Sequence, residues 1–190
     1  MRLIILAASL LAAVPALASE PTLYDRVDDL LAADPLLAKQ LGKPAPQMQQ
    51  LQWMVGSWTI EAGLVGSDKR KQQGTATIRS VLDGTWLESA DTYPSGVQDL
   101  GFITFDIVTK QWISIGLDST GNAVRAFSSG WQGSSLAFEA RNETVVGQRV
   151  TLRQTLARIS SDEFTLTNEE RLANGSWEVL DEYRYRRVKR

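Results

Sequence analysis

The chain of 190 residues contains neither histidine nor cysteine. Without them no Ser-His-Asp or Cys-His nucleophile can be assembled, and catalytic zinc loses its usual ligands. Disulfides are excluded too, so the fold must rest on its core, and the cysteine that a lipoprotein leader requires is missing. Charge of one sign is not in excess: 20 basic residues face 22 acidic ones, for a formal net charge of −2. The basic residues are scattered rather than clustered, so no nucleic-acid partner is expected. Lysine is nearly absent from the strand-like region before the extreme C-terminus, where Lys110 sits at a turn, so a Ser-Lys pair has little to be built from. No glycine-rich phosphate loop and no EF-hand pattern occurs.

Long apolar runs are also lacking, with one exception. Met1-Arg2 precedes the apolar run Leu3 to Val14, followed by Pro15-Ala16-Leu17-Ala18, the small-residue form read by signal peptidase. The run is shorter than the ~20 residues a membrane-spanning helix needs, so cleavage near Ala18 and a secreted or periplasmic protein without a stable membrane anchor are expected. Loss of Arg2 with the leader moves the formal charge from −2 to −3. Roughly 170 remaining residues suffice for one domain with a sizeable core. The expected division is a signal peptide over 1–18, a helical segment and linker over 19–45, and a β-barrel domain over 46–190.

From Pro21 to Gly42 the apolar spacing is helical, with Leu23, Val27, Leu30 and Leu31 on one stripe and Asp34-Pro35 as N-cap and first-turn proline of a second short helix. Packing on the main domain is the expected fate of that stripe, and docking of a protein partner is the alternative. Lys43-Pro44-Ala45-Pro46 reads as a stiff linker. Gln47 to Val55 then spaces Met48, Leu51, Met54 and Val55 as one more short helix running into Gly56.

After Gly56 the period becomes two. Trp58, Ile60, Ala62 and Leu64 alternate with Thr59, Glu61 and Gly63, giving a first strand with one apolar face. Strand-like segments follow at 74–82, 85–93, 97–107, 111–118, 123–129, 135–142, 147–159, 163–171 and 176–187. Asp83-Gly84 and Asn174-Gly175 are dipeptides suited to type I′ hairpins, and Pro94-Ser95-Gly96 and Thr120-Gly121-Asn122 supply further turns. About ten antiparallel strands joined by hairpins, with no helix between them, predict an all-β up-and-down barrel, because closure removes exposed edges. A two-sheet sandwich is the other arrangement the pattern allows.

Gly56-Ser57-Trp58 is a strand-initial G-x-W motif. The same letters recur at Gly84-Thr85-Trp86 and Gly175-Ser176-Trp177, against about 0.4 expected by chance from 14 Gly and 6 Trp in 190 residues. Only the first follows a short helix and opens the strand series. Together with Leu51-Gln52-Trp53-Met54-Val55, Val81-Leu82-Asp83-Gly84-Thr85-Trp86-Leu87, Gly101-Phe102-Ile103-Thr104-Phe105-Asp106, Thr109-Lys110, Trp112, Asp118-Ser119 and the closing Tyr185-Arg186-Arg187, it makes the chain from about Met48 to Arg187 resemble the DUF1579 family, a calycin-like group related in shape to lipocalins, fatty-acid-binding proteins and nitrobindin. The resemblance implies a barrel around a cavity and carries no established reaction. It also implies that Arg187 lies across Trp58 at the closed end, making Gly56, Trp58 and Arg187 the barrel-closing set. Nitrobindin-type haem binding through histidine is excluded by composition.

The alternation offers a cavity lining. With Trp58 inward, Ile60 and Leu64 share its face, and parity adds Leu100 with Phe102 or Ile103 with Phe105, as well as Leu136 with Phe138 and Val150 with Leu152. Trp177, Val179, Tyr183, Tyr185 and Arg187 share one parity in the last strand. Ile60, Leu64, Phe102, Phe105, Phe138 and Tyr185 are the expected ligand-binding residues. Asp106 and Asp118 are the carboxylates considered for acid-base work, though both sit where turns use aspartate to hold backbone amides. Glu88, Asp91, Glu139 and Glu169 are read as solvent-facing strand charges. Asn142-Glu143-Thr144 and Asn174-Gly175-Ser176 match glycosylation acceptors. The expectation is an exported protein that binds a small apolar or amphipathic molecule or lipid, with no cofactor and no metal. The alternatives are a carboxylate-dependent isomerase or hydratase, and a protein-interaction or inhibitor module using the N-terminal helices.

Overall fold

A computed structural model describes residues 23–64, 72–143 and 149–189. The expected leader, the side chain of Leu64 and the Asn142-Glu143-Thr144 acceptor lie outside the described residues. The chain divides into two units, up to Ala38 and from Lys39 onward. In the first, α1 spans Leu23–Ala33, and α2 begins at Pro35 and runs to Gln40. The Asp34 carboxylate accepts from the amides of Leu36 and Leu37, each at 3.0 Å, which satisfies donors that a helix start leaves unpaired. Along α1, Leu23, Val27 and Leu30 are exposed.

The second unit opens with a 3₁₀ helix over Pro46–Met54. Its three buried residues, Met48, Leu51 and Met54, recur every third position. A 3₁₀ helix turns once per three residues, so this spacing stacks them on one face. Eleven strands follow: β1 (Gly56–Leu64), β2 (Gln72–Val81), β3 (Trp86–Thr92), β4 (Gln98–Asp106), β5 (Gln111–Asp118), β6 (Ala123–Ser128), β7 (Trp131–Gln132), β8 (Ser135–Glu143), β9 (Arg149–Arg158), β10 (Glu163–Arg171) and β11 (Trp177–Arg187). Each long strand pairs antiparallel with its neighbour in sequence, β11 returns to β1, and Phe127 of β6 opposite Glu139 of β8 closes the ring. The result is a closed ten-stranded antiparallel barrel, with the two-residue β7 as a flap on β8. Eight strands make a barrel just wide enough for side chains to fill, so ten leave room inside.

Turn chemistry fixes the two ends. Between β2 and β3, Asp83 and Gly84 both take positive φ (54° and 88°) inside a turn closed by the Thr85 amide on the Leu82 carbonyl, as the dipeptide predicts. Asn174-Gly175 behaves differently. Only Gly175 has positive φ (85°), and its amide bonds the Leu172 carbonyl, so the loop is a type I turn followed by a left-handed glycine. The 93–97 and 118–122 loops repeat this pattern with Gly96 and Gly121. Those three loops ring the end of the barrel opposite the 3₁₀ helix, and form part of its mouth.

The closed end is built on Trp58, which is fully buried. Its indole N–H donates to the Met54 carbonyl at 2.8 Å, tying the strand to the helix that precedes it. The Arg187 guanidinium lies 4.2 Å above the ring centroid. It also donates to the carbonyls of Val55 (3.0 Å) and Trp53, satisfying acceptors at the helix end, and to that of Ser161 between β9 and β10. Gly56 makes room for this clamp: its φ is 144°, and a methyl group there would sit 2.5 Å from an Arg187 nitrogen. Phe164 completes the cluster, edge-on to Trp58 at 4.9 Å and stacked on Tyr185 at 4.3 Å.

Candidate functional site

Above this floor the barrel encloses a cavity of about 470 Å³, within the ~300–1,000 Å³ of small-molecule sites. Its depth is apolar: Met54, Ile78, Leu87, Ile103, Phe138 and Leu156. Toward the mouth polar side chains join the lining, Asp91, Tyr93, Asp99, Asp118, Asp181 and Tyr183 with Ser89, Gln154, Asn168 and Tyr185, beside Leu100, Leu117 and Leu180. Among the described lining residues there is no lysine or arginine.

Register explains why the carboxylates meet. Asp91 of β3 is the cross-strand partner of Asp99 of β4, and Asp99 is the partner of Asp118 of β5. Three acids thus form one row across adjacent strands, a placement in which like charges repel. Across the barrel, Asp181 of β11 pairs with Asn168 of β10, which pairs with Gln154 of β9. A hydrogen-bond chain follows that row: Gln154 Nε2 donates to Asn168 Oδ1 at 3.1 Å, and Asn168 Nδ2 donates to Asp181 Oδ1 at 2.7 Å.

Asp91 is the most enclosed of the acids, at 8% exposure. It accepts from the hydroxyls of Tyr185 (2.6 Å) and Ser89 (2.5 Å). Burial raises its pKa above the ordinary carboxylate value, and these two bonds only partly offset that. Burial likewise raises Asp181, against the Asn168 bond. Asp99 is raised by burial and then by the charges of Asp91 and Asp118, and among the described residues no group donates to it. The phenols respond in the same sense: burial, reinforced by the nearby carboxylates, pushes Tyr93, Tyr183 and Tyr185 well up, so all three stay neutral donors. Neutral phenols beside carboxyls of raised pKa can pass a proton, or hold a polar or charged head group. Among the described residues no group of three or more His, Cys, Asp or Glu side chains comes together to hold a metal ion.

The expected site residues fall into several places. Phe138 and Tyr185 line the cavity. Ile60 and Phe105 are absent from the lining, Ile60 buried at 2% exposure and Phe105 edge-on to Trp112 at 5.3 Å. Phe102 faces outward, because Gly101 and Ile103 of the same strand line the cavity and alternation turns Phe102 to the other side, edge-on to Trp86. Leu64 belongs to β1 opposite Asp181, but its side chain is outside the described residues. Val179 and Trp177 leave the face of Tyr183 and Tyr185 because a bulge between Asn168 and Glu169 admits an extra residue, Leu180, in β11. Trp177 instead packs outside, under the Arg153 guanidinium at 4.2 Å.

Asp106 and Asp118 are both turn caps. Asp106 accepts from the Val108 amide at 2.8 Å and from the Thr109 hydroxyl and amide; burial pushes it up, but these bonds and the Arg125 charge bring it below the ordinary value. Asp118 accepts from the Thr120 hydroxyl and from the amides of Thr120 and Asn122; these bonds lower its pKa despite some burial. Asp118 nonetheless borders the cavity, so it contributes a fixed negative charge at the mouth. Asp91 is the main correction. A solvent-facing charge was expected from strand alternation, yet Asp91 shares the inward parity of Leu87 and Ser89. Glu88 and Glu169, by contrast, form ion pairs with Arg79 (2.7 Å) and Arg153 (2.6 Å). The one signal for Asp91 in the sequence was its even spacing from Leu87, but nothing marked which parity of that strand faced in.

The family described as "Protein of unknown function (DUF1579)" matches residues 43–187. No curated protein matches the chain. Among solved structures, that of Rv2717c from M. tuberculosis is similar in fold, with a TM-score of 0.56 at 15% sequence identity, over 77% of this chain and 100% of that one.

Proposed function

The chain belongs to the DUF1579 family of proteins of unknown function, and from that premise we propose that it is an exported binding protein whose barrel holds a small amphipathic molecule. The observation that carries this reading is the cavity of about 470 Å³, apolar in its depth and polar at its mouth. That gradient suits a molecule with an apolar body and a polar head, since each part finds matching surroundings without an unpaired polar group being buried. Export is supported by the leader-like start from Met1 to Ala18.

Native mass spectrometry of the purified protein, with extraction and identification of what it carries, tests the binding. A co-purifying small molecule, or saturable binding of lipids or hydrophobic dyes displaced by a cavity-filling substitution such as Ala140→Phe, is expected. A bare protein mass with no binding across such a panel refutes the reading. N-terminal sequencing of the protein recovered from its native host tests export, with a start at Ser19 expected and an intact Met1 start counting against it.

A further inference from the structure

Resting on the binding reading above, we infer that the head group this cavity receives is cationic, an amine or ammonium of organic type, seated between the Asp91–Asp99–Asp118 row and Asp181 with its apolar body on the barrel floor.

The charges at the mouth are of one sign. Four carboxyls border the upper cavity, and among the described lining residues no basic side chain offsets them. An ionised fatty acid would bring a fifth negative charge into an enclosed space, where repulsion is stronger than in water. A cation relieves the repulsion among Asp91, Asp99 and Asp118 that their cross-strand register imposes.

An independent observation comes from Tyr93. Tyr93 is 6% exposed, it lines the cavity, and among the described residues its hydroxyl has no hydrogen-bond partner. A buried phenol without a partner is costly, and a ligand N–H or water supplies one. Tyr93 and Tyr183 each lie within electrostatic reach of Asp91, Asp99 and Asp181, so the phenols and the acids share one space. Carboxylates beside tyrosine rings are the chemistry that holds organic ammonium groups, by charge-assisted hydrogen bonds and by cation–π contact. Gly74 shows that the Tyr93 position is specified: an added methyl there would meet the Tyr93 ring and the Thr92 carbonyl at 2.8 Å, so only glycine lets the ring pack across the strand.

The test compares octylamine, octanol and octanoate, three probes with one tail and three heads, by calorimetric titration of the purified protein at neutral pH. Octylamine should bind at least roughly tenfold more tightly than octanol, and octanoate most weakly, with the octylamine preference shrinking as salt is added. The variants Asp99→Asn and Asp181→Asn should each reduce octylamine affinity several-fold and shrink its preference over octanol, with circular dichroism reporting that they are folded; an undiminished octylamine preference in both folded variants overturns the assignment. Equal binding of octylamine and octanol, or tighter binding of octanoate, overturns the cationic assignment and leaves the binding reading standing. Failure of all three probes overturns both.

Discussion

Replacing Arg187 probes the closed end on which the cavity rests. In Arg187→Ala three kinds of interaction disappear together. The guanidinium over the buried Trp58 ring at 4.2 Å is a cation–π contact worth ~0.5–2 kcal/mol. The bonds to the carbonyls of Trp53, Val55 and Ser161 contribute ~1 kcal/mol each net, because they replace bonds to water. The pair with the half-exposed Asp162 at 3.2 Å adds ~0–1 kcal/mol. These groups act as one clamp and do not sum independently, so a loss of about 3–4 kcal/mol is expected, roughly a 6–16 °C fall in melting temperature for a domain of this size. Arg187→Lys should lose about half of that, since an ammonium keeps the charge but cannot stack on the indole while reaching three carbonyls. Urea unfolding monitored by tryptophan fluorescence measures both. A loss below about 1 kcal/mol for the alanine variant, or a lysine variant as stable as the parent, would refute the clamp as the element that holds the 3₁₀ helix against the barrel.

The cavity acids should give the protein a pH signature. Asp91, Asp99 and Asp181 are all raised above the ordinary 3.8, so their contribution to stability is full below that pH and is lost as pH rises through their folded values. Asp99→Asn should therefore be more stable than the parent at neutral pH, with the difference vanishing near 3.8; a difference independent of pH in urea midpoints would contradict this. Gly74→Ala forces a methyl against the Tyr93 ring and the Thr92 carbonyl, so a loss of ~1–3 kcal/mol from overpacking is expected in the same assay, and unchanged stability would show that the strand yields freely. Phe164→Ala removes the ring shared by Trp53, Trp58 and Tyr185 and should cost ~3–5 kcal/mol; a loss under ~1 kcal/mol would show that the cluster repacks around the gap.

Ten strands, their order and most of their ends were legible in the sequence, because period-two alternation and turn dipeptides are local properties. So was the absence of histidine and cysteine chemistry, which composition alone decides. The 3₁₀ character of Pro46–Met54 was present in the three-residue spacing of Met48, Leu51 and Met54, though that spacing also fits a short α-helix. Parity within a strand was legible up to one unknown, the face that points inward. That unknown is what turned Asp91 inward and Phe102 outward, and the Leu180 bulge moved Trp177 and Val179 off the face of Tyr183.

The acidic mouth belongs to the tertiary structure. Asp91, Asp99, Asp118 and Asp181 lie on four strands, three of them neighbours and the fourth reached only when the barrel closes. Which acid stands opposite which depends on hairpin register, and the two acid-bearing rows share one cavity only because β11 returns to β1. Composition and alternation determined that a barrel with an apolar interior would form. Register and closure decided that its mouth would carry carboxylates, because electrostatic neighbours across a sheet are set by pairing and not by distance along the chain.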